Sequence, residues 1–404
     1  MKGATFKRCA CKDAATGRPL DRRCPKLKSS KHGSWFYVVE LPNGADGKRR
    51  QQKRGGFPNQ RAADAALRAV VTQVNTGTFV DAGRLTVSQY LDEWLAGKGK
   101  LRPSTRASYR QHMDLYLKPS LGQIRLTDLR ANHVEAMVQS LRHEPHNVGV
   151  ATTRRVFATL RGALNKAQRQ GLIAVNPCSF VELESEEEHR RPGQVWTAEQ
   201  VGSFLDAISE HRLALLYEVT VKAGLRRGEV IGLRWSDIDL DNAVMLVAQS
   251  VVQVGGALHV GTPKTKKSTR RVPLDEDLVA ALRSHRRRQL EERMLAGDGW
   301  RDEDRVFARP DGEGLVPEYV SRTFRNLARQ AGLPPIRLHE LRHTSASLAL
   351  AAGVPMRVVS ERLGHSTIGI TQNLYTHVFD ELSRDAADKI AALIPRRQRL
   401  TATW

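Results

Sequence analysis

RLHELRHTSASLALAAGVPMRVVSERLGHSTIGITQNLYTH, residues 337–377, sets histidines, an arginine and a tyrosine on a run of short helices. The order is His339-x-x-Arg342, then Leu-Gly-His365, then Tyr375 ten residues later. Cationic and hydrogen-bonding side chains of this kind hold and neutralise a phosphate, and a phenol beside them can attack it. The same residues also fit a rival chemistry. His339-Glu340-Leu341-Arg342-His343 matches H-E-x-x-H, in which His339 and His343 would bind zinc and Glu340 would activate water. The two readings ask for different partners, and the rest of the chain bears on that choice.

At 404 residues the chain is long for one domain and fits two or three, each able to bury its own core. A formal net charge of +21 and a pI near 10.3 call for a polyanionic partner, nucleic acid before membrane. The cations are 47 Arg and 17 Lys, a bias that suits bidentate phosphate contacts and that a GC-rich genome also produces. Residues 1–82 hold 17 Lys+Arg against 6 Asp+Glu, so about half of the net charge lies in a fifth of the chain. Such concentration favours nucleic acid. No apolar run approaches the ~18 residues that span a bilayer. The opening MKGATFKRCACKD has no apolar segment of the secretory kind. Four cysteines in so long a chain point away from a disulfide framework and towards a reducing compartment. The expected location is the cytoplasm, at the nucleoid, with no membrane association.

Residues 1–82 read as a small α+β domain. SWFYVVEL at 34–41 is an aromatic, β-branched strand, PNGADG is a turn, and KRRQQKRGG is a second strand bearing Arg49, Arg50, Lys53 and Arg54. Asn59 can cap a helix through RAADAALRAVVTQV. Two strands on one helix make a ribbon that can enter a DNA major groove; a merely solvated basic face is the alternative. Ahead of them, Cys9, Cys11, Cys24 and His32 offer the ligands of a closed tetrahedral zinc site, with free thiols in a loop as the competing account. The spacing C-x-C-x12-C-x7-H is not that of a standard finger.

Residues 83–180 carry helical periodicity throughout, with Val87, Tyr90, Leu91, Trp94 and Leu95 on one face of the first helix. Pro103 and Ser104 open a second helix, Thr127 can cap a third, and a fourth carries Arg154, Arg155 and Arg161 beside an apolar stripe. That basic helix is a candidate DNA contact, against the alternative of a solvated face. Residues 181–196 read as a linker, and Thr197 with Gln200 forms a capping box that opens the domain 197–404. There, helices surround AVMLVAQSVVQ, ALHV and STRRVPL, which alternate as antiparallel strands.

Taken in order, GLRRGE, PKTKKSTRRVPL, LHELRHTSAS and LGHSTIGITQNLYTH closely resemble the catalytic domain of the phage-type tyrosine recombinases, the integrases. The helical domain resembles their core-site-binding domain, and the first 82 residues are similar to their arm-site-binding domain. The resemblance implies a multidomain fold: a small α+β N-terminal domain, an all-α core-binding domain and a mixed, mainly-α catalytic domain. It makes Arg226, Lys264, His339, Arg342 and His365 the catalytic set around the nucleophile Tyr375, with Glu229 supporting an arginine. Lys266 and Lys267 stand close enough to be confused with Lys264. It implies cutting and rejoining through a 3′-phosphotyrosine, with no catalytic metal or nucleotide, by a homotetramer on double-stranded DNA. The amphipathic segment 379–394 would then dock on a neighbouring protomer. A decayed, purely DNA-binding relative and a type I topoisomerase are the further alternatives. Whether a host bending protein or a directionality factor takes part is open at the level of sequence.

Overall fold

The structure, a computed structural model, describes residues 3–13, 16–29, 31–41, 49–75, 85–144, 146–183, 194–261 and 269–364. The chain divides into two compact units, Met1–Glu188 and His189–Trp404.

In the first unit β1 (Gly3–Arg8), β2 (Ser34–Leu41) and β3 (Arg50–Phe57) form an antiparallel sheet in that order, and α1 (Gln60–Asn75) covers one face. The alternation in β2 puts Tyr37, Val39 and Leu41 into the core, where Leu67, Val70, Val71 and Val74 of α1 meet them. Asn59 starts the helix as expected, its side chain accepting from the Ala62 N–H at 2.9 Å. The expectation of two strands needs correcting. GATFKR is a third strand, in register with β2 through Phe6 opposite Phe36. Its polar and basic residues give an edge strand almost no apolar pattern to read.

The helical part comprises α2 (Val87–Ala96), α3 (Pro103–His112), α4 (Lys118–Leu121), α5 (Ala131–Arg142) and α6 (Val150–Arg169). Its core gathers Tyr90, Leu91, Trp94, Met113, Leu160 and Leu164, and the Tyr90 hydroxyl donates to the Ala163 carbonyl at 3.0 Å. Thr127 does not cap α5. It lies in a 3-10 turn, Leu126–Asp128, and α5 begins after Arg130, so the expected cap falls a turn too early.

In the second unit α7 (Ala198–Ala207) starts at the Thr197–Gln200 capping box, followed by α8 (Ala214–Ala223) and α9 (Arg227–Ile231). Strands β4 (Ile238–Asp239), β5 (Val244–Val247), β6 (Ser250–Val254), β7 (Ala257–Gly261) and β8 (Arg270–Pro273) precede α10 (Glu276–Ala296), α11 (Pro317–Gln330), α12 (Leu338–Ala351) and α13 (Met356–Leu363). The strands pair antiparallel, as expected, in two sheets, β4-β5-β8 and the hairpin β6-β7, with AVMLVAQSVVQ divided between them. The break falls at Ala248–Gln249, where the Gln249 side chain donates through Nε2 to the Gly232 carbonyl at 2.7 Å. Trp196, Phe204, Tyr217 and Phe324 form the aromatic centre of this unit, with ring centroids 5.1–6.0 Å apart.

Candidate active site

Helix α8 ends at Gly224, whose φ of +64° lies in the left-handed region. That conformation favours glycine, and a Cβ there would in addition stand 2.6 Å from Leu363 Cδ2, so the leucine end would have to shift. The tight turn makes Arg226 the residue that opens α9. Its backbone N–H donates to Glu229 Oε2 at 2.9 Å, its Nη1 donates to Glu229 Oε1 at 2.7 Å, and its Nη2 lies 3.4 Å from the Gly364 carbonyl. The Arg226 side chain keeps 36% of its surface exposed, enough to meet a ligand.

Glu229 is buried beneath it and receives a second guanidinium. Arg270, from β8, donates through Nη2 at 2.9 Å and Nη1 at 3.2 Å, while its Nε donates to the Arg362 carbonyl at 2.6 Å. Burial by itself would raise the Glu229 carboxyl, but the hydrogen bonds and charges of Arg270 and then Arg226 outweigh it and hold the group below the usual carboxylate range. Glu229 is thus an ionised bridge between two arginines. Arg270 escaped the sequence reading: in STRRVPL it is one of two adjacent arginines, and only strand register sends one inward.

Helix α12 supplies the other wall. Arg342 is buried and donates through Nη1 to the Gly224 carbonyl and through Nη2 to the Leu363 carbonyl, both at 2.6 Å. It therefore ties the end of α8 to the end of α13. His339, in the first turn of α12, shows an exposed edge to solvent, yet desolvation of its ring and the adjacent His343, Arg342, Arg226 and Arg337 lower its pKa to about 4. The exposed edge weakens the desolvation, but the surrounding cations push the same way. His339 is a neutral imidazole at physiological pH.

The zinc-protease motif does not assemble. Glu340 is buried and spent on Arg337, accepting from its backbone N–H and, at 2.8 Å, from its Nε. His339 and His343 stand edge to face with centroids 5.0 Å apart. Among the described residues no third ligand accompanies them.

Arg226, Glu229, His339 and Arg342 thus surround one turn at Gly224. Lys264, His365, Tyr375 and the segment 379–394 lie outside the described residues. Of the other cations singled out, Arg155 and Arg161 are exposed on α6, and Arg154 on the same helix is half-buried. Arg49 pairs with Glu40, and Arg50 is in register with Leu41. Lys53 pairs across the sheet with Val38, whereas Arg54 pairs with Tyr37 and interacts with its hydroxyl on the α1 side. The groups Cys9, Cys11, Cys24 and His32 come together.

Residues 194–381 match the phage integrase family, residues 86–142 the phage integrase N-terminal SAM-like domain, and residues 27–74 an arm DNA-binding domain. The chain belongs to the phage integrase family. It is a tyrosine recombinase. It is 28% identical over 386 residues to a XerC-like tyrosine recombinase of Caldanaerobacter subterraneus, covering 90% of this chain and 98% of that one. It is also 28% identical to the ICEBs1 integrase of Bacillus subtilis, over 70% of this chain and 74% of that protein. Among solved structures it resembles in fold the Tn1549 transposon integrase in complex with transposon right-end DNA, with a TM-score of 0.65 at 20% identity over 76% of this chain and all of that one. It also resembles the lambda integrase tetramer bound to a Holliday junction, with a TM-score of 0.54 at 21% identity over 82% of this chain and 93% of that one. Cys9, Cys11 and Cys24 all precede the stretch similar to known arm domains. No described helix is long and apolar enough to cross a membrane.

Proposed function

We propose that this recombinase cuts and rejoins double-stranded DNA at attachment sites through a 3′-phosphotyrosine on Tyr375, inserting and excising a phage or another mobile element. The phenol of Tyr375, with a usual pKa near 10, needs a base at neutral pH, and the neutral His339 is the base. The oxygen of Tyr375 attacks phosphorus, its proton passes to His339, and charge grows on the nonbridging oxygens. Arg226 meets that charge directly through its exposed guanidinium. Arg342 adds a second positive charge from the buried side, with His365 as a further hydrogen-bond donor. The 5′-oxygen leaves with a proton from Lys264, and the reverse steps join the 3′ end to a new 5′-hydroxyl. Glu229 and Arg270 hold Arg226 in place and transfer no proton.

The observation that carries this reading is the pairing of a neutral His339 with two arginines around a single turn. In this reading the cut needs neither metal nor nucleotide, and zinc on Cys9, Cys11, Cys24 and His32 has a structural part only. Residues 1–82 bind arm-type sites, with Lys53 among the contacts, 83–180 bind the core site with Arg154, Arg155 and Arg161, and 197–404 carry the chemistry. Four protomers act together, as the lambda integrase relative does on its junction, and they work in the cytoplasm at the nucleoid. The test is incubation with a nicked duplex carrying the element's own core site, then mass-spectrometric mapping of the residue bonded to the 3′-phosphate. Tyr375→Phe should bind that duplex normally and lose covalent capture by at least ~10⁴-fold, the scale on which removal of a nucleophile acts. Covalent capture by the Phe variant would remove Tyr375 from its role.

A further inference from the structure

We propose that Cys9, Cys11, Cys24 and His32 bind one zinc ion, which clasps the N-terminal sheet and presents two arginines on its open face. Metal binding itself does not depend on the recombination reading; only the consequence for arm-site DNA does.

The four candidate ligand atoms lie within 4.8 Å of one another. Cys11 Sγ is 3.4 Å and Cys24 Sγ 3.6 Å from His32 Nε2. A tetrahedral zinc with Zn–S of ~2.3 Å and Zn–N of ~2.0–2.1 Å sets sulfur and nitrogen about 3.5–3.6 Å apart, so both separations fit edges of that tetrahedron. Hydrogen bonding accounts for the convergence only in part: Cys9 Sγ donates to the Asp21 carbonyl at 3.9 Å, while Cys11 and Cys24 both approach His32 Nε2. An imidazole nitrogen offers one lone pair when neutral and can satisfy only one thiol donor. A cation at the centre satisfies all four groups at once.

Apart from the cluster, the chain around it is held to β1 by polar contacts, Lys7 Nζ donating to the Leu27 and Ser29 carbonyls and Arg8 pairing with Asp21. Adjacent antiparallel strands are usually joined by about 2–5 residues, whereas β1 and β2 are joined by residues 9–33. Among the described residues of that excursion only Cys24 is buried. Cys9 and Cys11 leave the end of β1, Cys24 lies between the 3-10 turns Asp21–Arg23 and Pro25–Lys28, and His32 stands just before β2. Four ligands spaced in this way pin the excursion at its beginning, middle and end. Among the described residues the domain's buried apolar cluster is also small, built on Tyr37, Val39, Leu41 and Val74. A structural metal is the usual supplement when a core is that small.

The clasp has a directed effect. With the excursion fixed, Arg22 lies 3.4 Å over the Phe6 ring and Arg8 lies 4.4 Å over the Phe36 ring. Those rings stack at 5.8 Å across β1 and β2, on the side of the sheet opposite the buried Tyr37 and Val39. Arg22 belongs to the excursion and reaches that face only while the loop is held. Zinc therefore sets the charge of the surface that meets arm-site DNA.

The test uses the full-length chain, purified without chelator or added metal. Elemental analysis should find one zinc per chain, and a mercurial thiol reagent should release it as three thiols react, with a chromogenic chelator reading the release. Cys178→Ala should keep the zinc, and Cys24→Ser and His32→Ala should lose it. Cobalt in place of zinc should give the visible bands of a tetrahedral site with thiolate ligands. Zinc below about a tenth of an equivalent, zinc that survives modification of all the thiols, or a disulfide among Cys9, Cys11 and Cys24 in the unreduced protein would each overturn the proposal, whether or not any ligand variant folds. Zinc removal should also weaken binding of an arm-site duplex severalfold while leaving covalent capture at the core site intact. Unchanged arm affinity would refute the clasp, and absent cleavage with full zinc occupancy would count only against the recombination reading.

Discussion

The chain gathers charged and polar groups at two centres, and it holds them by opposite means. In the catalytic domain Glu229 and Arg270 are an ion pair with side chains 3% and 6% exposed, seated beside a core built on Trp196, Phe204, Tyr217 and Phe324. In the N-terminal domain the Cys/His cluster sits beside a small core and gathers ligand atoms without any formal counter-ion among its own members. A large apolar core can surround a pair of opposite charges and keep its geometry after the desolvation cost. A small core cannot, and donor atoms that converge on a metal do the same positioning with less buried surface. The comparison assigns Arg270 a definite task, which is to make Glu229 a rigid rest for Arg226.

The sharpest way to break that comparison is to remove one member of the buried pair. Arg270→Ala leaves the Glu229 carboxylate buried with the Arg226 guanidinium alone to balance its charge, and loss of one partner of such a pair costs roughly 3–5 kcal/mol. Chemical denaturation of the variant should show a loss on that scale. Replacing both groups, Glu229→Leu with Arg270→Met, should recover most of the stability, because the uncompensated charge is gone, and should still lose cleavage. If the double variant cleaves DNA as fast as the parent, Arg226 needs no rest and the assignment fails.

A smaller effect separates His339 from an ordinary surface histidine. Its pKa is lowered to about 4 from the usual 6.5, so the unfolded chain binds more protons than the folded one between those values. This group's contribution to stability is therefore complete above pH 6.5 and is lost as the pH falls towards about 4. The cleavage rate at subsaturating DNA, which reports the free enzyme, should accordingly vary less than about threefold between pH 5.5 and 7 on account of His339. A rate that halves near pH 6.5 in the parent, and loses that inflection in His339→Gln, would show an ordinary histidine.

How much of this could be read in the chain follows the type of evidence. Helices with a strong apolar stripe and a capping residue were legible, as at Thr197–Gln200 and Asn59, because both signals are local. The proposed catalytic set was named from ordered motifs, since Arg226 lies far from His339 in sequence and only the resemblance joins them; of that set the described residues include Arg226, His339 and Arg342. What escaped depends on pairing across distance. Strand β1 has a weak pattern of its own and exists through its register with β2. Arg270 differs from Arg271 only in facing inward, and that is decided by β8 lying against β5. The same limit explains why four cations on one basic strand were read as equivalent.

They are not equivalent, and this gives the mildest test. Successive residues of a strand face opposite ways, and β3 pairs Lys53 with Val38 but Arg54 with the core tyrosine Tyr37. Lys53 also lies 5.2 Å from the Phe6 centroid, on the face that carries Arg8 and Arg22. Arg54 is engaged with the Tyr37 hydroxyl instead. Lys53→Gln should weaken arm-site binding by a few-fold at moderate salt and reduce the magnitude of the slope of log affinity against log salt by about one, the loss of a single phosphate contact. Arg54→Gln should change that slope by less. Titrations of both variants against one arm-site duplex at several salt concentrations decide the matter. Equal slopes would mean that DNA meets the edge of the ribbon and not the open face of the sheet, and the clasped arginines would then lose their stated purpose.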